Sequence, residues 1–105
     1  MSDIRVFKER ANILDIDMGI DVSADTITSQ IRSKPDVSGA LIATWVVTKP
    51  NGGSDGLIRL TISAAVASNI EATGGYMDVK RVSAGEPYPG WDRPLEVEII
   101  GVVTE

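Results

Sequence analysis

The chain contains no cysteine and no histidine. The first absence removes disulfides, thiolate nucleophiles and thiolate-ligated zinc or iron–sulfur clusters. The second removes Ser-His-Asp and Cys-His catalysis, together with the commonest transition-metal ligand. An enzyme made of these residues would have to work with carboxylates, Lys, Tyr, Ser or Thr alone. Aromatics are scarce as well, at two Trp, two Tyr and one Phe. Positive charge is in deficit: ten Lys and Arg against fifteen Asp and Glu leave −5, the wrong sign for nucleic acid or an anionic membrane surface. No basic run offsets this, because Arg5, Lys8 and Arg10 are interleaved with Asp3 and Glu9, and Lys80-Arg81 is only a pair. No apolar run reaches the length of a membrane span, and Met1-Ser2-Asp3-Ile4 does not open a signal-peptide apolar region. The expectation is a chain not exported by that route.

What the sequence does have is alternation. Its 105 residues suit one domain, 1–105, able to bury a core without covalent staples. The organising stretch is Gly56 to Ser63, where Ile58, Leu60 and Ile62 fall on one face and Arg59 and Thr61 on the other. That is the pattern of a half-buried antiparallel strand. Residues 3–10 read as an edge strand or N-terminal arm, and 1–19 together as an arm or edge segment. In 12–22, Leu14, Ile16 and Met18 oppose Asp15 and Asp17, with Gly19 predicting a bulge or bend. A β-branched strand over 25–33 leads to a turn at 34–39 set by Pro35 and Gly39. Leu41 to Thr48 is apolar on both faces and reads as the most central strand. Lys49 to Gly56 reads as a mobile loop. Ser63 is a candidate N-cap for one or two helical turns over 64–70. Gly74-Gly75 opens a strand over 76–82, 83–94 reads as a long Pro/Gly surface loop carrying Tyr88 and Trp91, and 95–104 closes the chain as a strand with a bulge at Gly101. About seven short strands, turn signals roughly every ten residues and one helical turn predict an all-β antiparallel sandwich, with a small closed barrel as the alternative.

Few residues suggest chemistry. Asp15, Asp17, Asp21 and Asp25 do not fit a calcium loop: Met18 and Gly19 occupy the wrong slots, and apolar residues separate the acids as in a strand. They read as a solvated acidic face. Glu96 and Glu98 share a strand face roughly 6–7 Å apart, within the range of paired-carboxylate glycosidases, but most exposed strand faces carry such pairs. Gly52-Gly53 and Gly74-Gly75 match no phosphate-loop pattern. Trp45 reads as core, on the face of Leu41, Ala43 and Val47. Trp91 lies beside Tyr88 and Arg93 in a Pro/Gly loop, where a large aromatic either folds back as a lid or meets a partner. Candidate interface residues are therefore Ile4, Val6 and Phe7 of the N-terminal segment and Tyr88, Trp91 and Arg93 of the loop. The sequence calls for no enzyme activity, no cofactor, no metal, no nucleic acid and no membrane.

Further residues carry a family resemblance. Ile27-Thr28-Ser29-Gln30-Ile31-Arg32-Ser33-Lys34-Pro35, followed by Gly39-Ala40-Leu41-Ile42-Ala43-Thr44-Trp45, resembles small immunoglobulin-like domains of tailed bacteriophages. These are the kind found at the N-terminus of siphophage upper baseplate proteins. Gly56 to Ser63, Gly74 to Asp78 and Gly101 to Thr104 continue the likeness over residues 20–105, and the first 19 residues lie outside it. Tyr76 stands where such domains place a corner tyrosine, and Asp78 where immunoglobulins carry a cysteine. The resemblance implies an immunoglobulin-like β-sandwich and a non-enzymatic virion structural protein, made in the host cytoplasm. It would be a tail, baseplate or neck adaptor, or alternatively a capsid decoration protein, working as a homo-oligomer against other tail, neck or capsid proteins. A carbohydrate-binding module is the reading from another class, with Tyr88 and Trp91 as its aromatics.

Overall fold

The structure, a computed structural model, describes residues 4–89 and 94–101. Eight strands and one short helix follow in order: β1 Ile4–Phe7, β2 Asn12–Asp17, β3 Thr26–Arg32, β4 Leu41–Thr48, β5 Leu57–Ile62, α1 Ala64–Ala67, β6 Gly74–Ser83, β7 Glu86–Pro89 and β8 Leu95–Ile100. The fold is mostly β, as the alternation predicts. The strands form one hydrogen-bonded path, β1-β8-β6-β3-β4-β5-β2, with β7 added to β6. All pairings are antiparallel except β1 with β8, where Val6 stands opposite Ile99.

The path curls because β4 serves two partners with two halves. Leu41 to Trp45 pair with β3, and Val46 to Thr48 pair with β5. A register shift beside Ile31 and Arg32 lets β4 bend at Ile42. The result is nearly barrel-like, and the two end strands, β1 and β2, come together across the linking residues 8–11. Inside lie Ile27 and Ile31 of β3, Trp45 of β4, Ile58, Leu60 and Ile62 of β5, Met77 and Val79 of β6, and Val97 and Ile99 of β8. These are the apolar positions of period-two patterns, so each strand contributes one face to the core.

Four local expectations change. First, β2 ends at Asp17, short of the alternation that runs on to Val22, and of the bulge or bend expected at Gly19 the structure has the bend, at φ +74. Val22 still returns to the core, fully buried. Second, Lys49 to Gly56 is tied down: Val22 N–H donates to Gly53 O at 2.9 Å and Met18 N–H to Gly56 O at 2.8 Å. Composition marks this stretch as a loop but cannot reveal its partners. Third, 83–94 is not wholly loop, because 86–89 forms β7 in a hairpin with β6. Its two-residue turn, Ala84-Gly85, has positive φ at both positions (51° and 81°), as a type I′ turn requires. Fourth, the centre of the path is β3, with β4 beside it, and only one of β4's apolar faces is covered: Val46 is 61% exposed. The helix follows the N-cap reading, with Val66 N–H donating to Ser63 Oγ at 3.2 Å.

Candidate interaction surfaces

Three surface features stand out. The first is the outer face of β2, β5 and β4. Its strands place Ile13 opposite Thr61 and Thr61 opposite Val46, giving an apolar, β-branched row across three strands. Ile13 and Val46 are 63% and 61% exposed. Period-two logic puts polar residues at such positions, so their apolar character needs a reason other than the monomer's core. The next row is charged. Arg59 Nε and Nη2 donate to Asp15 Oδ1 and Oδ2 at 2.8 and 3.2 Å, and this guanidinium holds the Asp15 carboxyl below its usual range. The pair is exposed, so it orients the face more than it stabilises the fold.

The second feature is a groove of about 580 Å³ on the outer face of β3 and β6. Its floor is built from cross-strand neighbours, Thr28 with Lys80, Gln30 with Asp78 and Arg32 with Tyr76. Pro87, Tyr88 and Pro89 of β7 form one wall, and the turn of Lys34, Pro35, Asp36 and Val37 forms another. Arg32 is committed within it, donating to Gly39 O and to Gln30 Oε1, both at 3.0 Å. On the far side of β6, Arg81 links three elements. It donates to Asp25 Oδ2 at 2.9 Å and lies 4.7 Å from the Tyr88 ring centroid, a cation–π distance. Hydrogen bonds from Arg81 and then Ser83 hold the Asp25 carboxyl low against the opposing effect of burial.

The third feature is the seam between β1 and β2, a groove of about 480 Å³ lined by Ile4, Arg5, Phe7, Ala11, Asn12, Ile13, Leu14 and Trp45. Asn12 bridges its end: Phe7 N–H donates to Oδ1 at 2.9 Å, and Nδ2 donates to Phe7 O and Arg10 O. Trp45 is the core residue that the sequence predicts, 3% exposed, yet its buried Nε1 has no acceptor.

The sequence-predicted interface residues separate. Ile4 packs against the core as a half-buried residue, and Val6 is fully buried. Phe7 and Tyr88 are 41% and 44% exposed, on different features: Phe7 borders the seam and Tyr88 the groove. Trp91 and Arg93 lie outside the described residues. The acids behave as a polar face, since Asp17 Oδ1 accepts from Gly19 N–H and Asp21 Oδ1 from Ser23 N–H. Asp25 is the exception, buried against Arg81. Among the described residues no group of carboxylates is placed to hold a metal ion, and no helix is long and apolar enough to cross a membrane. Glu98 lies 3.8 Å from Arg5, its register partner. Sequence reasoning misses the β3–β6 groove and the Asp25–Arg81 pair. Alternation marks the groove strands as half-exposed but not which neighbours share them, and 56 positions separate the pair. No family model matches the chain, and no curated protein matches it either.

Proposed function

We propose that the chain is a non-enzymatic structural domain of a tailed-phage virion, immunoglobulin-like in fold, acting through protein–protein contacts. A tail, baseplate or neck adaptor is the leading role, and capsid decoration is its alternative. Strand pairing supports the fold reading. With β2, β3, β5, β6 and β8 taken as strands B, C, E, F and G, the B–E, C–F and F–G pairs of an immunoglobulin domain are all present. In this scheme β4 serves as C′ in its first half and as D in its second. The observation that carries the functional reading is the uncovered Ile13–Thr61–Val46 row. A sheet face that keeps large apolar residues in water is suited to being covered in an assembly.

The test has two parts. Purified virions of the source phage should contain the chain in a fixed stoichiometric copy number by quantitative mass spectrometry, and its absence from particles would refute the virion reading. Light scattering over a concentration range should show a defined oligomer that Ile13→Lys with Val46→Lys dissociates. A monomer at every concentration would remove self-assembly and leave a heterologous partner. A second reading, a carbohydrate-binding module, draws on the β3–β6 groove, where Tyr76 stands on the floor with amide, carboxylate and ammonium groups of Gln30, Asp78 and Lys80. Saturable titration by a soluble oligosaccharide, lost in Tyr76→Ala, would favour it.

A further inference from the structure

The loop between β4 and β5 contains a chemically reactive step. The asparagines of the chain are Asn12, Asn51 and Asn69; the first precedes Ile13 and the last Ile70, whereas Asn51 precedes Gly52. A following β-branched residue crowds the backbone nitrogen, but a glycine leaves it bare and the chain free to turn. Asn51 and Gly52 are both exposed, Gly52 stands at φ +78, and a Cβ there would meet nothing within 4 Å. The same loop holds an Asp-Gly step, Asp55-Gly56. There Gly56 is buried, and a Cβ on it would lie 2.8 Å from Ile20 O. Room for the backbone to rearrange exists at the first step and not at the second.

We propose that Asn51-Gly52 is a site of self-modification, where the Gly52 backbone nitrogen closes on Asn51 Cγ, and that the loop's own hydrogen bonds restrain this reaction until the loop opens. In the closure the bond from Gly52 N to Asn51 Cγ forms and the Cγ–Nδ2 bond breaks. Nδ2 leaves as ammonia, taking the proton that Gly52 N gives up. Water then opens the five-membered imide at either carbonyl. The product is an aspartate at position 51, joined to Gly52 normally or through its side chain. Nothing is oxidised or reduced.

Two hydrogen bonds supply the restraint. Gly52 N–H, whose proton must leave, donates to Lys49 O at 3.0 Å. Asn51 Nδ2, the group that must depart, donates to Asp55 Oδ2 at 2.8 Å. Asp55 is itself anchored, because its Oδ1 accepts from Leu57 N–H at 3.0 Å. The imide can make neither restraining bond, since one has lost its proton and the other its nitrogen. Bonds present before the reaction and absent after it raise the barrier. Opening of the loop removes both, so conversion follows the open fraction.

The product also undoes the restraint. A carboxylate at position 51 has no proton to donate and meets Asp55 as a like charge. The side-chain-linked form adds a backbone carbon to the turn that sets Gly53 O against Val22 N–H and Gly56 O against Met18 N–H, at 2.9 and 2.8 Å. Val22 is fully buried, and Lys49 Nζ ties the neighbouring Asp25 O to the same loop. Conversion therefore loosens the 18–25 segment, in one direction and with time. This stands on the loop's own chemistry, whatever the fate of the virion reading.

The test incubates the full chain at mildly alkaline pH and follows the change of amide to acid by intact mass. Peptide mapping places the change and separates the two linkages. Conversion should be confined to position 51 and at least roughly tenfold faster in urea than in the folded chain. Asp55→Ala should speed it roughly tenfold, the scale of one hydrogen bond to a charged group. Asp55→Ser, which can still cap Leu57 N–H, should also speed it and carries the comparison if Asp55→Ala fails to fold. Asn51→Gln, whose longer side chain cannot close the same ring, should abolish it. Asn51→Asp, a mimic of the normally linked product, should melt lower and exchange faster at Met18 and Val22. Equal rates in the folded chain and in urea, or no acceleration in either Asp55 variant, would overturn the restraint. Conversion that begins at Asn12 or Asn69 would overturn the site. Unchanged exchange at Met18 and Val22 in Asn51→Asp would overturn the loosening.

Discussion

Asn12 holds Phe7 by both of its backbone groups: Phe7 N–H donates to Oδ1 at 2.9 Å, and Nδ2 donates to Phe7 O at 3.0 Å. A side chain thus imitates the rung of a ladder that β1 and β2 do not form. Asn12 is 7% exposed, so water is poorly placed to substitute. Asn12→Ala should destabilise the domain by about 1–3 kcal/mol, the range for buried groups left without partners. Urea denaturation would measure the loss, and hydrogen exchange at Phe7 should accelerate first. Unchanged exchange there would mean that β1 is held by β8 alone.

Two glycines should fail for different reasons. A Cβ on Gly75 would lie 2.7 Å from Arg32 O and 2.8 Å from Ile42 Cδ1, where β6 crosses close beneath the bend of β4. Gly75→Ala should cost about 1–3 kcal/mol through overpacking. Gly85 has open space around it, but its φ is +81°. Gly85→Ala should cost about 1–2 kcal/mol through backbone strain alone, and Gly85→Asn should recover much of that, since Asn tolerates the left-handed region. Thermal melting of the three variants separates the mechanisms; equal losses for Gly85→Ala and Gly85→Asn would argue against the type I′ account.

The exposed apolar row gives a prediction in the opposite sense. Ile13→Thr with Val46→Thr should leave stability within about 0.5 kcal/mol, as surface changes away from special features usually do. The same pair should weaken self-association or docking onto particles, read by light scattering and co-sedimentation. A large loss of stability would place these side chains in the monomer's own packing.

Alternation made most of the fold readable. Ile58, Leu60 and Ile62 are all buried, as period two demands, and Ser63 caps the short helix. What escaped the sequence depends on contacts between distant segments. The Pro/Gly signal over 83–94 pointed to a loop, yet Pro87 and Pro89 sit in β7. There they face Val82 and Lys80, and an edge strand tolerates them because their missing donors can point away from the sheet. The 49–56 loop took its order from residues 18–25. The double apolarity of β4 marks it as the most central strand with two covered faces, but β3 holds the centre of the path, and Val46 shows that the outer face of β4 is bare. Asp25 looked like one more surface acid because its partner, Arg81, lies in a strand that sequence spacing cannot bring near.

That pair sets the last prediction, on acid stability. The carboxyls of Asp15, Asp21, Asp25, Asp36 and Asp55 are all held below their usual values by hydrogen bonds: from Arg59, Ser23, Arg81, Ser38 and Leu57 respectively. A depressed folded-state pKa means that the unfolded chain binds more protons once pH falls to about 4, so stability is full above that value and drains away below it. With no histidine to titrate, stability should be nearly flat from about pH 5 to pH 7. Arg81→Met removes the largest influence holding Asp25 low and leaves a buried carboxylate without its guanidinium. The variant should be less stable than the parent at pH 7, and the gap should narrow as pH falls below about 4, because a protonated Asp25 no longer needs the cation. The lost stacking on Tyr88 is independent of pH in this range and contributes a constant offset. Urea midpoints measured from pH 3 to pH 7 resolve the two parts: a gap that stays constant throughout would assign the whole effect to Tyr88 packing and none to the ion pair.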